Sequence, residues 1–184
     1  MRIIFLIGMP CSGKSTLGYA LQQAAEVTYI DLDEAIEQRS GMSVAEIFAG
    51  RGESAFREME GAELKRLCHS GLHKDIVIGC GGGTPCFGDN MDYMLATGRV
   101  VWLQADESRL LQRLIDGKAK RPAIADMDAD VIADYIAETR RQRQCHYSRA
   151  HDTFDSTYLE NAEEIASTVE IFINRYALTR RHKA

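Results

Sequence analysis

The sequence lacks any long apolar stretch. Its longest strictly apolar run is Ile3–Ile7, whereas a helix that crosses a bilayer needs about 20 apolar residues. The run is also too short for the hydrophobic part of a secretory signal, and no small-residue cleavage site accompanies it. These absences argue against a membrane protein and against export. We therefore expect a cytoplasmic protein with no membrane partner.

Paired cysteines and an excess of basic charge are missing as well. The five cysteines form no C-x-x-C pair, which favours reduced thiols in a reducing compartment over a disulfide framework. The net charge is −5, from 22 Lys and Arg against 27 Asp and Glu. Proteins that bind nucleic acid usually carry a basic face, so the sequence predicts no nucleic-acid partner.

Alternating strand and helix patterns fill the chain, without an internal repeat or a low-complexity linker. We expect a single domain over residues 1–184. Apolar runs predict strands at Arg2–Ile7, Val27–Ile30, Asp75–Ile78, Arg99–Gln104 and, more weakly, His151–Phe154. Helices are predicted at Ser15–Ala24, Ser43–Phe48 with a capping box, Ser54–Cys68, Asp130–Ala150 and Asn161–Tyr176. Strands that are apolar on both faces suit a parallel sheet covered by helices, so the predicted fold class is α/β and doubly wound.

The most specific motif directly follows the first predicted strand. Residues 8–15 read G-x-x-x-x-G-K-S, the pattern of a phosphate-binding loop. Its glycines let backbone N–H groups surround an anion, and the next helix points its positive end at the phosphates. Lys14 brings a charge to the β- and γ-phosphates, and the Ser15 hydroxyl ligates magnesium. The predicted nucleotide contacts are Gly8, Met9, Pro10, Cys11, Ser12, Gly13, Lys14, Ser15 and Thr16.

The loop by itself predicts a nucleoside triphosphate and Mg²⁺, but not a reaction. The chain has no N-K-x-D guanine signature and is too short for a helicase or motor. A short domain with this loop is typical of ATP-dependent kinases that act on metabolites or nucleotides.

Two aspartates follow the second predicted strand, at the edge where doubly wound sheets bind ligands. Asp31 and Asp33 are two residues apart. One carboxylate can reach water around magnesium, and the other can accept the proton of an attacking hydroxyl. A helix N-cap with surface acids explains the same pattern equally well.

Arg57 and a glycine triad suggest an acceptor site. Arg57 lies near the start of a helix, where the helix dipole disfavours a cation, so an anion or Glu60 is its expected partner. An exposed arginine on a solvated face is the alternative. Gly81, Gly82 and Gly83 suit a main chain that a ligand approaches closely, or a tight turn.

Two further arginines lie later in the chain. Residues 116–128 have little apolar periodicity and contain Arg121, which predicts a lid that carries this arginine over the phosphates. Arg143 lies one helical turn before Tyr147, so it can face the same cleft. A solvated basic stripe is the other interpretation of the arginines around it.

Together these pieces resemble the shikimate kinase family along nearly the whole chain. The matching pieces are the loop at 8–15, Asp31-x-Asp33, Gly52-Glu53-x-x-Phe56-Arg57-x-x-Glu60, Gly81–Gly83, Arg121-Pro122 and Arg143-x-x-x-Tyr147. The resemblance implies a five-stranded parallel sheet in the order 2-3-1-4-5, flanked by helices. It also implies transfer of the γ-phosphate of ATP to the 3-hydroxyl of shikimate, and we expect the enzyme to be a monomer.

The resemblance also implies roles for the acceptor side. Asp33 would contact the reacting hydroxyl. Arg57 and Arg143 would bind the substrate carboxylate, and Gly82 would approach the ring through its backbone N–H. Gly81 and Gly83 would complete the substrate-binding set.

On the phosphate side, Lys14 and Arg121 would neutralise charge during transfer. Ser15 and Asp31 would serve magnesium, Asp31 through water. Arg113 is a candidate adenine neighbour, although a surface arginine explains it as well. The catalytic residues are then Lys14, Asp33 and Arg121.

Two segments depart from the family pattern. Thr84-Pro85-Cys86 follows the glycine triad, where the family usually has a small residue and then valine. Residues 155–162 do not resemble the arginine-rich adenine loop of some members. Two rival functions fit the phosphate loop: a gluconate kinase or another small-molecule kinase, and a non-catalytic ATP-binding regulator. The paired Arg57 and Arg143 favour shikimate, and Asp33 together with Arg121 favours an enzyme.

Overall fold

The computed structural model describes residues 2–69, 74–117 and 127–181. Five strands form one parallel sheet in the order β2-β3-β1-β4-β5. They are β1 (Ile3–Ile7), β2 (Val27–Asp31), β3 (Asp75–Gly79), β4 (Arg99–Gln104) and β5 (Asp152–Asp155). The helices are α1 (Lys14–Ala24), α2 (Leu32–Ser40), α3 (Val44–Cys68), α4 (Asn90–Thr97), α5 (Glu107–Asp116), α6 (Ala129–Tyr147) and α7 (Ala162–Tyr176). The predicted fold class and strand order are confirmed.

The central strand β1 explains how the sheet divides the core. All five of its residues are buried, because helices cover both faces of the sheet. Side chains of alternate residues point to opposite faces. Ile3, Phe5 and Ile7 pack in one core with α2 to α6, whereas Ile4 and Leu6 pack in a second core with α1 and α7.

Three helices were not predicted, namely α2, α4 and α5. Helix α2 begins directly after β2, and Asp31 is both the last strand residue and the N-cap, since its side chain accepts from the Asp33 N–H at 3.1 Å. The prediction of a helix N-cap is therefore confirmed for Asp31, and this role leaves its second carboxylate oxygen for other contacts. Within the described ranges, no helix combines the length and the apolar character needed to cross a membrane.

Helix α3 combines two helices that the sequence predicted separately. Gly52 interrupts it with φ 80° and ψ 171°, a conformation that glycine adopts without steric cost. The predicted capping box opens the first half: the Ser43 hydroxyl accepts from the Glu46 N–H, and the Glu46 carboxylate accepts from the Ser43 N–H. Arg57 lies in the first turns after the break, near a helix start as predicted.

The predicted lid over 116–128 falls largely outside the described residues. Asp116 ends α5, and Asp128 is the N-cap of α6. Residues 118–126, which include Arg121, are not among those described. The lid and the role of Arg121 stay predictions from the sequence.

Candidate active site

The phosphate loop needs glycine where it turns. Gly8 has φ 144°, and a Cβ there would lie 2.6 Å from the Leu103 carbonyl oxygen. Gly13 has φ 90°, and a Cβ there would lie 2.4 Å from a Leu159 methyl. Cys11 has φ 62°, which is uncommon for a residue with a side chain. The loop backbone is therefore sharply turned and requires glycine at positions 8 and 13.

Lys14 is held by its own loop. Its ammonium donates to the carbonyls of Gly8 at 3.0 Å and Met9 at 2.8 Å, and contacts the Ser12 hydroxyl at 3.4 Å. Burial lowers the pKa of Lys14 to about 8, although neighbouring acidic groups act in the opposite direction. The charge is thus placed at the turn of the loop, where a phosphate would sit.

The remaining loop residues divide between core and cleft. The Met9 side chain is buried in the core, so only its backbone can meet a nucleotide. Pro10 faces the glycine triad, with its Cδ 3.2 Å from where a Cβ of Gly82 would lie. Ser15 and Thr16 are exposed in the first turn of α1. Because the capping residue Gly13 has no side chain, the first N–H groups of α1 are available to an anion.

Ser15 and Asp31 meet beneath the loop. The Ser15 hydroxyl donates to Asp31 Oδ2 at 2.9 Å, and the Tyr29 hydroxyl donates to the same oxygen at 3.2 Å. The Tyr29 ring occupies space left by two glycines, since a Cβ at Gly18 would lie 2.0 Å from the ring and one at Gly79 would lie 2.3 Å from the hydroxyl. Tyr29 therefore supports the carboxylate from the side of the sheet.

This pair fits a magnesium ion that is shared with phosphates. In residues 2–69, 74–117 and 127–181, no group of three or more His, Cys, Asp or Glu side chains is arranged to hold a metal. Magnesium in kinases is usually held by only one or two protein oxygens together with water and substrate phosphates. The Ser15 hydroxyl and the Asp31 carboxylate, both facing the phosphate loop, meet that requirement.

Asp33 lies near the start of α2 with one oxygen unused. Within the described part of the chain, its buried Oδ1 has no hydrogen-bond partner. Burial raises the pKa of Asp33 to about 6, helped by Asp31 and Glu60, while Lys14 lowers it. The Oδ1 atom lies 3.3 Å from where a Cβ of Gly81 would be. A buried, unpartnered carboxylate oxygen beside a glycine triad is suited to accept a hydroxyl proton from a ligand.

The two acceptor-side arginines converge on the glycine triad. A Cβ at Gly82 would lie 2.8 Å from Arg143 Nη1, and a Cβ at Gly83 would lie 2.7 Å from Arg57 Nη2. The Tyr147 hydroxyl donates to the Gly82 carbonyl at 2.6 Å, so α6 is fixed to this turn. The triad thus gives two guanidinium groups access to one cleft, which the sequence could only suggest.

Arg57 is tied to two glutamates of different exposure. It donates to Glu60 at 3.0 Å and to Glu53 at 3.0 and 3.2 Å. The Glu60 side chain is fully buried, whereas that of Glu53 is 56% exposed. The Arg57 guanidinium also stacks on Phe87, with its central carbon 4.2 Å from the ring centroid. Glu60 therefore fixes the arginine, as its spacing predicted, whereas the Glu53 partner is open to solvent.

Arg113 connects the phosphate loop to the segment after β5. It pairs with Glu160 at 2.7 Å and donates to the carbonyls of Cys11, Ser156 and Thr157 at 2.8 to 3.3 Å. The Arg113 side chain is 13% exposed, so it is held by these partners rather than freely solvated, and its place beside adenine stays a prediction. A cavity of about 310 Å³ opens beside it, lined by Cys11, Gly13, Lys14, Ser15, Thr16, Arg113, Leu159 and Glu160.

Four site residues were missed at the sequence level: Tyr29, Thr84, Leu159 and Glu160. Thr84, Leu159 and Glu160 meet their partners across long stretches of the chain, so no short spacing marks them. The sequence signal for Tyr29 was the pair Gly18 and Gly79, because two positions without a side chain leave room for a large one between them.

The fold and the site define an ATP-dependent phosphotransferase of the P-loop class, with a nucleotide cleft and an acceptor cleft at one edge of the sheet. A family model for shikimate kinase matches residues 10–174. A shikimate kinase of Phocaeicola vulgatus is 38% identical over 170 residues, covering 92% of this chain and 95% of that protein. One of Bacteroides fragilis is 39% identical over 168 residues, covering 91% and 92%. The chain belongs to the shikimate kinase family.

A solved structure agrees with this assignment. The crystal structure of the shikimate kinase from Bacteroides thetaiotaomicron superposes with a TM-score of 0.88 at 36% identity, covering 96% of this chain and 99% of that one. The likeness therefore extends over the whole domain rather than over the phosphate loop alone.

Proposed function

We propose that this protein transfers the γ-phosphate of ATP to the 3-hydroxyl of shikimate, giving 3-phosphoshikimate and ADP. One observation carries the choice of acceptor: Arg57 and Arg143 converge on Gly82 and Gly83, beside the open oxygen of Asp33. Two guanidinium groups next to one buried carboxylate suit a small molecule that bears an acid at one end and a hydroxyl at the other. The proposal includes a cytoplasmic monomer with no nucleic-acid or membrane partner.

The residues divide the binding work. The carboxylate of shikimate would replace Glu53 on Arg57 and be shared with Arg143, while the backbone of Gly81–Gly83 lies against the ring. This orientation directs one hydroxyl to Asp33. Asp33 then orients that hydroxyl or takes its proton as the oxygen attacks phosphorus. Because phosphoryl transfer has a loose transition state, placing the hydroxyl correctly is part of this role together with accepting its proton.

The residues around the phosphate loop would hold ATP, the phosphoryl donor. Lys14 leaves the carbonyls of its own loop to meet the β- and γ-phosphates, and Arg121 completes the charge from the proposed lid over 116–128. Mg²⁺ would be held by the Ser15 hydroxyl and, through water, by Asp31. When bound, the ion neutralises phosphate charge and orients the phosphates for transfer. The adenine would lie in the cavity beside Arg113 and Leu159.

A coupled ADP-release assay tests this function. Shikimate, gluconate and no acceptor are compared at fixed ATP, with and without Mg²⁺, and the phosphorylated carbon is identified by NMR. We expect magnesium-dependent turnover with shikimate only. Turnover with gluconate alone would establish the rival kinase, and tight ATP binding without turnover would establish a regulator.

Arg57→Ala is expected to lower kcat/KM for shikimate about a hundredfold, mainly through KM, while ATP binding barely changes. A charge-assisted bond of this kind contributes roughly 2–4 kcal/mol. Initial rates with each substrate varied, together with calorimetric ATP binding, measure the effect.

Arg66→Ala is the matched control for this variant. Arg66 lies on the same helix and also pairs three residues away with a buried glutamate, Glu63, but it lies outside the acceptor cleft. This variant should lose stability without a change in the KM for shikimate. If Arg57→Ala instead weakens ATP binding and spares shikimate, Arg57 belongs to the nucleotide side.

The pH profile of kcat/KM is expected to be bell-shaped, with limbs near pH 6 and pH 8. Asp33, with a pKa of about 6, is protonated below that pH and cannot accept a proton. Lys14, with a pKa of about 8, loses its charge above that pH in the free enzyme. Profiles of the wild type and of Asp33→Asn, measured at saturating magnesium, check the assignment. The variant should keep the alkaline limb and lose the acid limb; an unchanged acid limb assigns it to another group.

A further inference from the structure

Thr84 is a buried residue whose hydroxyl faces the acceptor cleft. It stands directly after the glycine triad and opens a short 3₁₀ turn, Thr84–Cys86. Its side chain donates to Glu60 Oε1 at 2.5 Å, and its carbonyl accepts from the Asn90 side chain at 3.1 Å. The residue is completely buried. Both its backbone and its hydroxyl are therefore fixed.

The Glu60 carboxylate is held by one donor on each oxygen. Thr84 donates to Oε1, and Arg57 Nη1 donates to Oε2 at 3.0 Å. The glutamate is itself fully buried, so neither oxygen can turn to water for a replacement. Two donors on opposite oxygens leave the carboxylate a single orientation, and that orientation determines where the Arg57 guanidinium points.

Loss of the threonine hydroxyl would leave Oε1 without a donor in a crowded place. The atom lies 2.8 Å from where a Cβ of Gly81 would be, and Asp33 Oδ1 lies 3.3 Å from the same point. An unpaired buried carboxylate oxygen next to a second carboxylate is costly. Rotation of the Glu60 carboxylate would relieve this cost, but it would also move Oε2 away from Arg57.

We propose that Thr84 is a positioning residue for acceptor binding: its hydroxyl fixes Glu60, which fixes the guanidinium of Arg57 against the carboxylate of the acceptor. The inference rests on the proposed function, because it takes shikimate as the acceptor. It assigns a purpose to the first residue of the segment that follows the glycine triad.

Thr84→Val removes the hydroxyl and keeps the shape. We expect the KM for shikimate to rise at least about tenfold, the range for a lost hydrogen bond to a charged group, with kcat within about twofold and the KM for ATP unchanged. Thr84→Ser keeps the hydroxyl and should restore the wild-type KM. Thr168→Val is the control, since Thr168 is also buried and donates to a backbone carbonyl, that of Tyr158, at 2.7 Å. It should lower Tm without changing the KM for shikimate.

A double-mutant cycle tests the route through Arg57. In an Arg57→Ala background, Thr84→Val should add less than about twofold to the KM for shikimate, because the group it positions is gone. Thr84→Ala replaces the valine variant if that variant does not fold. A lower Tm with a wild-type KM overturns the proposal, as does a serine variant impaired as much as the valine variant. If the wild type does not phosphorylate shikimate, the proposed function is wrong. That result is distinguishable from an active wild type whose Thr84 variants keep a normal KM, which overturns only the role of Thr84.

Discussion

Lys14→Met is expected to remove nearly all turnover, by about 10³-fold or more in kcat/KM, in a protein that keeps its fold. Removing one preorganised group that stabilises transition-state charge commonly costs about 10²–10³-fold, and here the lost group carries a full charge aimed at the β- and γ-phosphates. The variant also loses the donor to the carbonyls of Gly8 and Met9, so a modest decrease in Tm is expected. Steady-state kinetics and circular dichroism measure both effects.

Lys65→Met is the matched control. Lys65 lies on the surface of α3 and pairs with the exposed Asp89. The same substitution at Lys65 should therefore change neither kcat nor KM. A folded Lys14→Met protein with normal turnover would reject the kinase mechanism.

Asp33→Asn is expected to cost far more in kcat than Asp31→Asn. Asparagine keeps the size of the side chain but cannot take a proton, and loss of a general base typically costs 10²–10⁴-fold. In the proposed function Asp31 serves magnesium through water, so its neutralisation should mainly raise the magnesium concentration needed for half-maximal rate. Measuring kcat against magnesium for both variants separates the roles. If Asp31→Asn stays inactive at saturating magnesium and Asp33→Asn remains active, the two assignments are reversed.

The same Asp33→Asn variant is expected to be more stable than the wild type at pH 7. Folding raises the pKa of Asp33 from 3.8 to about 6, so the folded state favours the protonated form. Below pH 3.8 the carboxyl is protonated in both states, and its burial costs no stability. As the pH rises from 3.8 through 6, the unfolded state ionises first, so the free energy of unfolding decreases. At neutral pH the ionised, buried Asp33 therefore destabilises the fold by roughly 1–3 kcal/mol. Urea unfolding should show this gain at pH 7 and little of it at pH 3.5; equal stability at pH 7 would contradict the burial argument.

The sequence could predict what depends on local spacing. The phosphate loop, the capping box at Ser43 and the strand order implied by the resemblance all agree with the structure. The Arg57–Glu60 pair was predictable too, because three residues of a helix bring two side chains together.

Other features depend on partners that are distant in the chain. Thr84 and Glu60 are 24 residues apart, and Arg113 and Glu160 are 47 apart, so neither bond leaves a local pattern. Helix α2 was missed because Asp31 ends a strand and caps a helix in the same residue, which leaves no loop to mark the boundary. The depth at which Asp33 is buried also depends on elements that pack around it only after folding.

The Tyr29 ring between Gly18 and Gly79 has an evolutionary consequence. A Cβ at Gly18 would lie 2.0 Å from the Tyr29 ring, and one at Gly79 would lie 2.3 Å from the Tyr29 hydroxyl oxygen, so neither position accepts a side chain while the tyrosine keeps its place. The three positions belong to α1, β2 and β3, and either glycine can gain a side chain only when Tyr29 changes as well. A relative with a smaller residue at position 29 is free to carry alanine at 18 or 79, but it also gives up the hydroxyl that reaches Asp31. Across many sequences, the residues at positions 18 and 79 should therefore covary with the residue at position 29, which supports the Asp31 carboxylate.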